Sequence, residues 1–332
     1  MKQLLTTIMA CAAISLFAGV ATSAEYKWDM TSGYAATSQH GRSQAVFEKL
    51  VEEKSGGRIE ITNHYGASLG YKDIGIFDAV SDGVVPIGLS FVGMLRGVDP
   101  IFLLSSLPFV TETYEDGKLL YKASKSYYDK VLAENDQVLL YVVPNPPSGI
   151  WAKKPIKTKA DLENLKIRTY DPNGTITFKN VGAAPIQLTW ADLLPQLGTG
   201  GIDAVLTSAE SGRSSKFWEF LNHFNEVGYC ISLIMIHMNA DVFNSLPDDL
   251  KKVVMDAAAE ASEIGWKESG ERIEMVNYKQ MRENGVTIVS DMPQDLLGSL
   301  SDGGQVAVQE WKEKMGPDGD KILAEYKQLK GM

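Results

Sequence analysis

Cysteine is scarce in this chain: Cys11 and Cys230 are the whole complement of 332 residues. Cys11 falls in an N-terminal segment that reads as a removable leader, which leaves Cys230 alone. An internal disulfide and a two-cysteine metal site are thereby excluded. Cys230 sits in the apolar stretch VGYCISLIMI and reads as a small buried residue. The four histidines, His40, His64, His223 and His237, never fall in H-E-x-x-H spacing. Single histidines of this kind read as capped or surface residues. The scattered Asp and Glu form no calcium loop. There is no G-x-x-x-x-G-K-[ST] and no strand-linked G-x-G-x-x-G. No metal and no cofactor are expected. Positive charge is also short, with 32 Lys and Arg against 42 Asp and Glu. A net charge of -10 argues against a nucleic-acid partner, which needs a basic stripe to displace counterions. It does not argue against a small anionic ligand, because the local field inside a cleft outweighs net charge.

Long apolar runs are missing too, except at the start. Met1-Lys2 supplies a positive end, Leu4 to Val20 is apolar, and Thr22-Ser23-Ala24 offers small residues for cleavage. This is the pattern of a secretory signal peptide over residues 1–24. A membrane anchor is the other reading, but Thr6, Thr7 and Ser15 interrupt a run already short of the ~20 residues a span needs. The expected product is an exported, periplasmic protein cleaved near Ala24.

Beyond the leader, period-two and period-3.6 segments alternate. KWDMT, RIEITNHY, VVPIGLSF and QVLLYVV read as strands, with helices predicted at 38–54, 72–81 and 112–134. A second set follows in LKIRTY, APIQL and 202–206, with helices at 173–181, 190–197 and 211–221. EVGYCISLIMIHM is too long for one ordinary strand and reads as a segment passing between lobes. From Pro247 to Asn284 nothing breaks the helical spacing, so one helix of roughly 55 Å is expected, unless Gly265 or Gly270 bends it. Alternating strands and helices imply an α/β fold with largely parallel sheets.

In LKIRTYD, Arg168 stands near the carboxyl end of a strand, where ligands of such sheets bind. A guanidinium matches a carboxylate with two parallel hydrogen bonds. Spacing alone favours a surface ion pair for Arg168, because most arginines are solvated. GASLG at 66–70 supplies the enzyme reading: it matches G-x-S-x-G between a strand and a helix, so Ser68 is a candidate nucleophile of a secreted serine hydrolase. No HGGG-like oxyanion segment precedes it.

The ordered motifs FEKLVEEKSGGRIEITNHYGASLG, FLLSSLPFV, IKTKADLENLKIRTYDPNGTITFKNVGAAPIQLTWADLLPQLGTGGIDAV and SLPDDLKKVVMDAA run along nearly the whole chain after the leader. Together they resemble the solute-binding proteins of TRAP transporters, the DctP-like family. The resemblance implies a two-lobed, periplasmic-binding-protein-like fold with a central ligand cleft. One lobe would hold 25–147 and roughly 232–290, the other 148–231 and roughly 291–332, with the helix at about 247–284 spanning both. It implies a binding role rather than catalysis, a mostly monomeric state and membrane subunits as partners. It also implies that Arg168 pairs with a ligand carboxylate and that Trp190 is the aromatic over the ligand.

Two departures bear on the ligand. Ser148 in NPPSGIW stands where sialate-binding members carry a second arginine, and Thr207 in IDAVLTSAES stands at a usual asparagine. A donor-poor cleft leaves the hydroxyls of a sugar acid unpaired, at ~1–3 kcal/mol each. Phe91, Trp151, Tyr170 and Trp190 gather near the expected cleft, with Ser90, Ser148, Thr207 and Ser208 as hydroxyl partners for a second polar group. The expected ligand is a small organic monocarboxylate with an apolar or aromatic body.

Overall fold

The computed structural model describes residues 24–72 and 74–332. The leader expected at 1–24 lies outside them, apart from Ala24. Eleven strands among these residues form two sheets. In chain order they are β1 (Tyr26–Thr31), β2 (Ile59–His64), β3 (Ile87–Phe91), β4 (Gln137–Pro144), β5 (Ser148–Ala152) and β6 (Lys166–Thr169). Then come β7 (Ala184–Gln187), β8 (Ala204–Ser208), β9 (His223–Asn225), β10 (Leu233–Asn239) and β11 (Thr287–Val289). The first sheet has the order β2-β1-β3-β10-β4 and the second β11-β9-β5-β8-β6-β7.

Both sheets are mixed rather than largely parallel. β10 runs antiparallel to β3 and β4, and β5 runs antiparallel to β8 and β9. These are the two strands that enter a lobe directly from the other one. A chain arriving from the gap between lobes must run against strands that end there. The crossings are the short segment 145–147 and the stretch 226–232, the first half of the long apolar run. They are laced together by Asn145 N–H to Ser232 O at 2.8 Å, Ser148 N–H to Cys230 O at 3.0 Å and Tyr229 N–H to Ser148 O at 2.8 Å.

Each sheet is covered on both faces. Helix Gln39–Lys54 starts at a Ser38 cap and buries Phe47 and Val51 against Trp28, Met30 and Ile61. Helix Tyr114–Ala133 covers the opposite face through Leu120, Ala123 and Leu132. In the second lobe, Phe178 of helix Pro172–Asn180 and Val181 at its C-cap pack on one face of the sheet, and Leu193 and Leu197 of helix Trp190–Gly198 on the other.

Helical structure runs without a break from Asp248 to Glu283. Leu250, Val254 and Ala257 join the first lobe's core, while Tyr278 and Met281 join the second's. Gly265 does not bend it. A Cβ there would lie 2.3 Å from Val143 Cγ1, so the glycine lets the helix approach β4. The interruption is a wider π turn at Ile273–Tyr278, where Asn277 and Tyr278 reach the second lobe.

Two boundaries differ from the sequence expectation. β11 pairs with β9 and belongs to the second sheet, not to the first lobe. The C-terminal residues are not confined to the second lobe. Helix Gln294–Met315 begins there with Leu296 and Leu300, but its Trp311 enters the first lobe's core, as do Ile322 and Tyr326 of helix Pro317–Lys330.

Candidate functional site

β3, β6 and β8 all end at the gap between the sheets, and their carboxyl ends carry the polar and aromatic side chains there. Arg168, on β6, is only 3% exposed. Its Nε and Nη2 donate to the Leu188 carbonyl at 3.1 and 2.9 Å, and Nη1 reaches the Leu206 carbonyl at 3.5 Å. The rings of Tyr170 and Trp190 each lie 5.8 Å from its Cζ. Backbone carbonyls therefore fix the plane of the fork, and two aromatic faces fix its height.

A cavity, open at its mouth, lies against this guanidinium. The second lobe lines it with Ser148, Arg168, Tyr170, Trp190, Thr207 and Ser208. The first lobe adds Tyr34, His40, Phe91 and Met94, and the crossing segments add Asn145 and Ser232. An adjoining hollow shares Tyr34, Phe91 and Trp190 and contains Ser90. The Ser90 hydroxyl faces His237 Nε2 at 2.9 Å, and His237 Nδ1 is bonded to Gln137. Burial pushes His237 down to about 3, so it is neutral at pH 7 and its Nε2 accepts a hydrogen bond from the Ser90 hydroxyl.

Trp151 is a correction. It is completely buried, 5.6 Å from Phe217 and 5.3 Å from Phe224, and its Nε1 donates to the Ser208 carbonyl. A Cβ on Gly212 would fall 2.2 Å from the indole, so the ring fills the core behind the cavity wall. Ser68 is exposed on the turn after β2, and no hydrogen bond among the described residues joins its hydroxyl to a histidine. Cys230 is buried beside Tyr170, and burial pushes its thiol up to about 12, so it is inert.

His40 went unread in the sequence, where single histidines pass for surface residues. It is 3% exposed and stacks on Tyr34 with centroids 4.0 Å apart. Its Nε2 lies 2.8 Å from Asn145 Oδ1, while Asn145 Nδ2 donates to Ser232 Oγ at 3.1 Å. Burial outweighs the Asn145 bond and lowers its pKa to about 4.

The lobes also meet directly. Phe91 packs edge-on against Tyr170, centroids 5.4 Å apart. Glu210, 2% exposed in the second lobe, accepts from the Gln39 backbone N–H at 3.1 Å and lies 3.5 Å from Arg42 Nη1, both in the first lobe. Arg213, three residues along, donates to it at 2.9 Å. Burial alone would raise this carboxyl. The bond and charge of Arg213, then the charges of Arg42 and Arg272, outweigh burial and hold it below its usual value.

This architecture has close counterparts. The family model for bacterial extracellular solute-binding protein, family 7 (DctP) matches residues 31–316. The chain belongs to this family of TRAP solute-binding proteins. Its fold matches DctP6 of Bordetella pertussis, an extracytoplasmic solute receptor binding pyroglutamic acid, with a TM-score of 0.87 and 32% identity over 91% of this chain and 99% of that one. A marine metagenome TRAP solute-binding protein specific for pyroglutamate gives a TM-score of 0.85 and 31% identity, covering 91% and 98%. The 2,3-diketo-L-gulonate-binding periplasmic protein YiaO of Escherichia coli is 26% identical over 300 residues, 86% of this chain and 89% of that one. The family is extracytoplasmic, and among the described residues no helix is long and apolar enough to cross a membrane. Its members bind small organic acids and work with membrane subunits.

Proposed function

We propose that this TRAP solute-binding protein captures a compact organic monocarboxylate, with a lactam acid of the pyroglutamate type as the best fit. Arg168 pairs with the carboxylate, and the apolar walls of Phe91, Met94 and Trp190 enclose the body. The reading is a binding one, and it rests on family membership. The observation that carries it is a deeply buried guanidinium lining a cavity between the lobes, its plane set by the Leu188 and Leu206 carbonyls. Lysine could not offer the same planar fork.

Composition of the wall supports a ligand with few hydroxyls. Arg168 is the one arginine or lysine lining the cavity among the described residues, and the remaining polar wall is mostly hydroxyl groups. Several of these are committed within the protein. Ser208 donates to Ser211 Oγ and caps the following helical turn, and Ser148 meets the Tyr170 hydroxyl at 3.4 Å. The two pyroglutamate-binding structures share 32% and 31% identity with this chain. The galacturonate-binding and galactonate-binding structures share 19% and 18%, enough for the fold alone.

Ligand touches side chains of both lobes and of the crossing segments, so it favours the closed arrangement seen here, which the membrane subunits would read. The chain would act in the periplasm as a monomer after cleavage near Ala24. Calorimetry with pyroglutamate, galacturonate and 2,3-diketogulonate tests the ligand class, with Arg168→Lys as the site control. The expected result is pyroglutamate binding that Arg168→Lys weakens ~10-fold or more, because lysine keeps the charge but loses a charge-assisted hydrogen bond of ~1.5–3 kcal/mol. Equal affinity for the uronate, or an unchanged Arg168→Lys protein, would overturn the assignment.

A further inference from the structure

The first lobe has a crevice of its own at the carboxyl ends of its parallel strands. β2 and β3, the next two strands in the chain, lie on opposite sides of β1 and run parallel to it, the topology that opens a ligand-sized gap. The hollow beside the Arg168 cavity lies there: Tyr34 follows β1, Ala67 follows β2, and Phe91 ends β3. Its wall is held in place. Gly66 N–H donates to the Tyr34 carbonyl at 2.9 Å and Ala67 N–H to the Ser32 carbonyl at 2.8 Å, which straps the turn after β2 to the chain after β1. Ala67 has a φ of 59°, a left-handed backbone that alanine rarely adopts and that the surrounding bonds must hold. The hollow is the larger of the two spaces, and Tyr34, Phe91 and Trp190 line both. Ile76 adds to its apolar wall, and the exposed Lys72 is the one arginine or lysine lining it among the described residues. No aspartate or glutamate among those residues lines either space.

We propose that the cleft takes a second class of ligand, elongated acids whose apolar arm extends from the Arg168 cavity past Phe91 and Trp190 into this hollow and whose far end is an anion paired with Lys72. The proposal rests on the reading of Arg168 as the carboxylate partner and goes beyond it. A compact acid occupies the Arg168 side alone, and a longer one occupies both spaces. Burial against the aromatic walls favours the arm. A second carboxylate among apolar walls needs a cation beside it to offset its desolvation. Lys72 suits that end, because its long flexible stem lets the ammonium follow arms of different length, whereas backbone carbonyls hold Arg168 in one plane.

The test uses the whole chain with linear dicarboxylates from glutarate to suberate, their monomethyl esters, and pyroglutamate as the compact acid. In calorimetry the monoesters should tighten roughly fourfold for each methylene buried in the hollow. The best diacid should bind at least about tenfold more tightly than its own monoester. Lys72→Met keeps the apolar stem and removes the charge at an exposed position. It should bring that diacid down to its monoester's affinity or below, and leave the monoester and pyroglutamate within about twofold of wild type. Pyroglutamate binding with every diacid rejected, or a Lys72→Met protein that loses diacid and pyroglutamate by the same factor, would overturn the proposal and leave the Arg168 reading standing. If wild type binds none of these acids, both fall together.

Discussion

Glu210 offers a way to weigh lobe closure separately from ligand contact. It does not line the main cavity, yet its carboxylate accepts the Gln39 N–H at 3.1 Å and faces Arg42 at 3.5 Å across the gap. Arg213 belongs to Glu210's own lobe, and its 2.9 Å bond therefore persists when the lobes part. Only the Gln39 and Arg42 contacts are at stake in opening. Glu210→Gln keeps an acceptor for Gln39 but removes the charge. A hydrogen bond to a charged group contributes ~1.5–3 kcal/mol and a neutral one ~0.5–1.5, so the closed form should lose ~1–2 kcal/mol. The Arg42 pair adds little beyond this, because Arg42 is 26% exposed and partly screened. If the free protein is mainly open, that loss passes directly into affinity, and Kd should rise ~5–30-fold. Calorimetry on Glu210→Gln, Arg42→Met and the double variant gives the coupling, and small-angle scattering gives the fraction closed with ligand. A small Glu210–Arg42 coupling is expected, whereas a Kd for Glu210→Gln within about twofold of wild type and an unchanged fraction closed would refute the latch.

Two further predictions follow from buried positions. Asp171 is fully buried, and burial raises its carboxyl from 3.8 to about 6 against the opposing bonds of Ser106 and the Gly174 N–H and the charges of Arg96 and Arg168. Its folded form holds the proton more tightly than the unfolded chain, so stability is lost as pH climbs from about 3.8 to about 6. Asp171→Asn keeps the cap on helix Pro172–Asn180 and should be more stable than wild type at pH 7.5, by up to roughly 3 kcal/mol. In urea unfolding that gain should shrink below pH 4, and a gain that is constant with pH would contradict the assignment. Gly265→Ala should destabilise by ~1–3 kcal/mol, since its Cβ would meet the rigid Val143 side chain at 2.3 Å, although helix propensity alone favours alanine by ~1 kcal/mol. A more stable Gly265→Ala protein would mean that the helix does not approach β4 this closely.

Much of the architecture is legible because amphipathic period and turn chemistry act locally. Gln39–Lys54, Tyr114–Ala133 and the helical run from Asp248 follow from spacing and caps. What spacing could not give was the face of a strand buried on both sides. Every residue of β5 is buried, so the alternation that would separate Ser148, in the cavity, from Trp151, in the core behind it, is absent. The same ambiguity hid the surroundings of Arg168. Leu165 to Tyr170 alternates like a half-exposed strand, but Ile167, Arg168, Thr169 and Tyr170 are all buried. The difference comes from Leu188 and Leu206, whose carbonyls are brought to the guanidinium by neighbouring strands 20 and 38 residues away.

His40 did leave a local signal. The buried face of the first helix is polar at its start, with Gln39, His40, Ser43 and Gln44, and apolar only from Phe47 onward. Four inward polar positions before the first apolar one are expensive in a core and make sense where a helix end borders a cleft. The placement of that cleft links binding to motion. Its floor includes Asn145 and Ser232, on the two segments that cross between the lobes and hydrogen-bond to one another, and Ser148 at the start of β5. Asn145 in turn holds His40 on the first helix, next to the Gln39 that reaches Glu210. A guest held between Arg168 and the first-lobe wall of the cavity therefore brings the second lobe, the crossing segments and the first helix together. A ligand that fills the cavity but engages only Arg168 should bind without driving full closure.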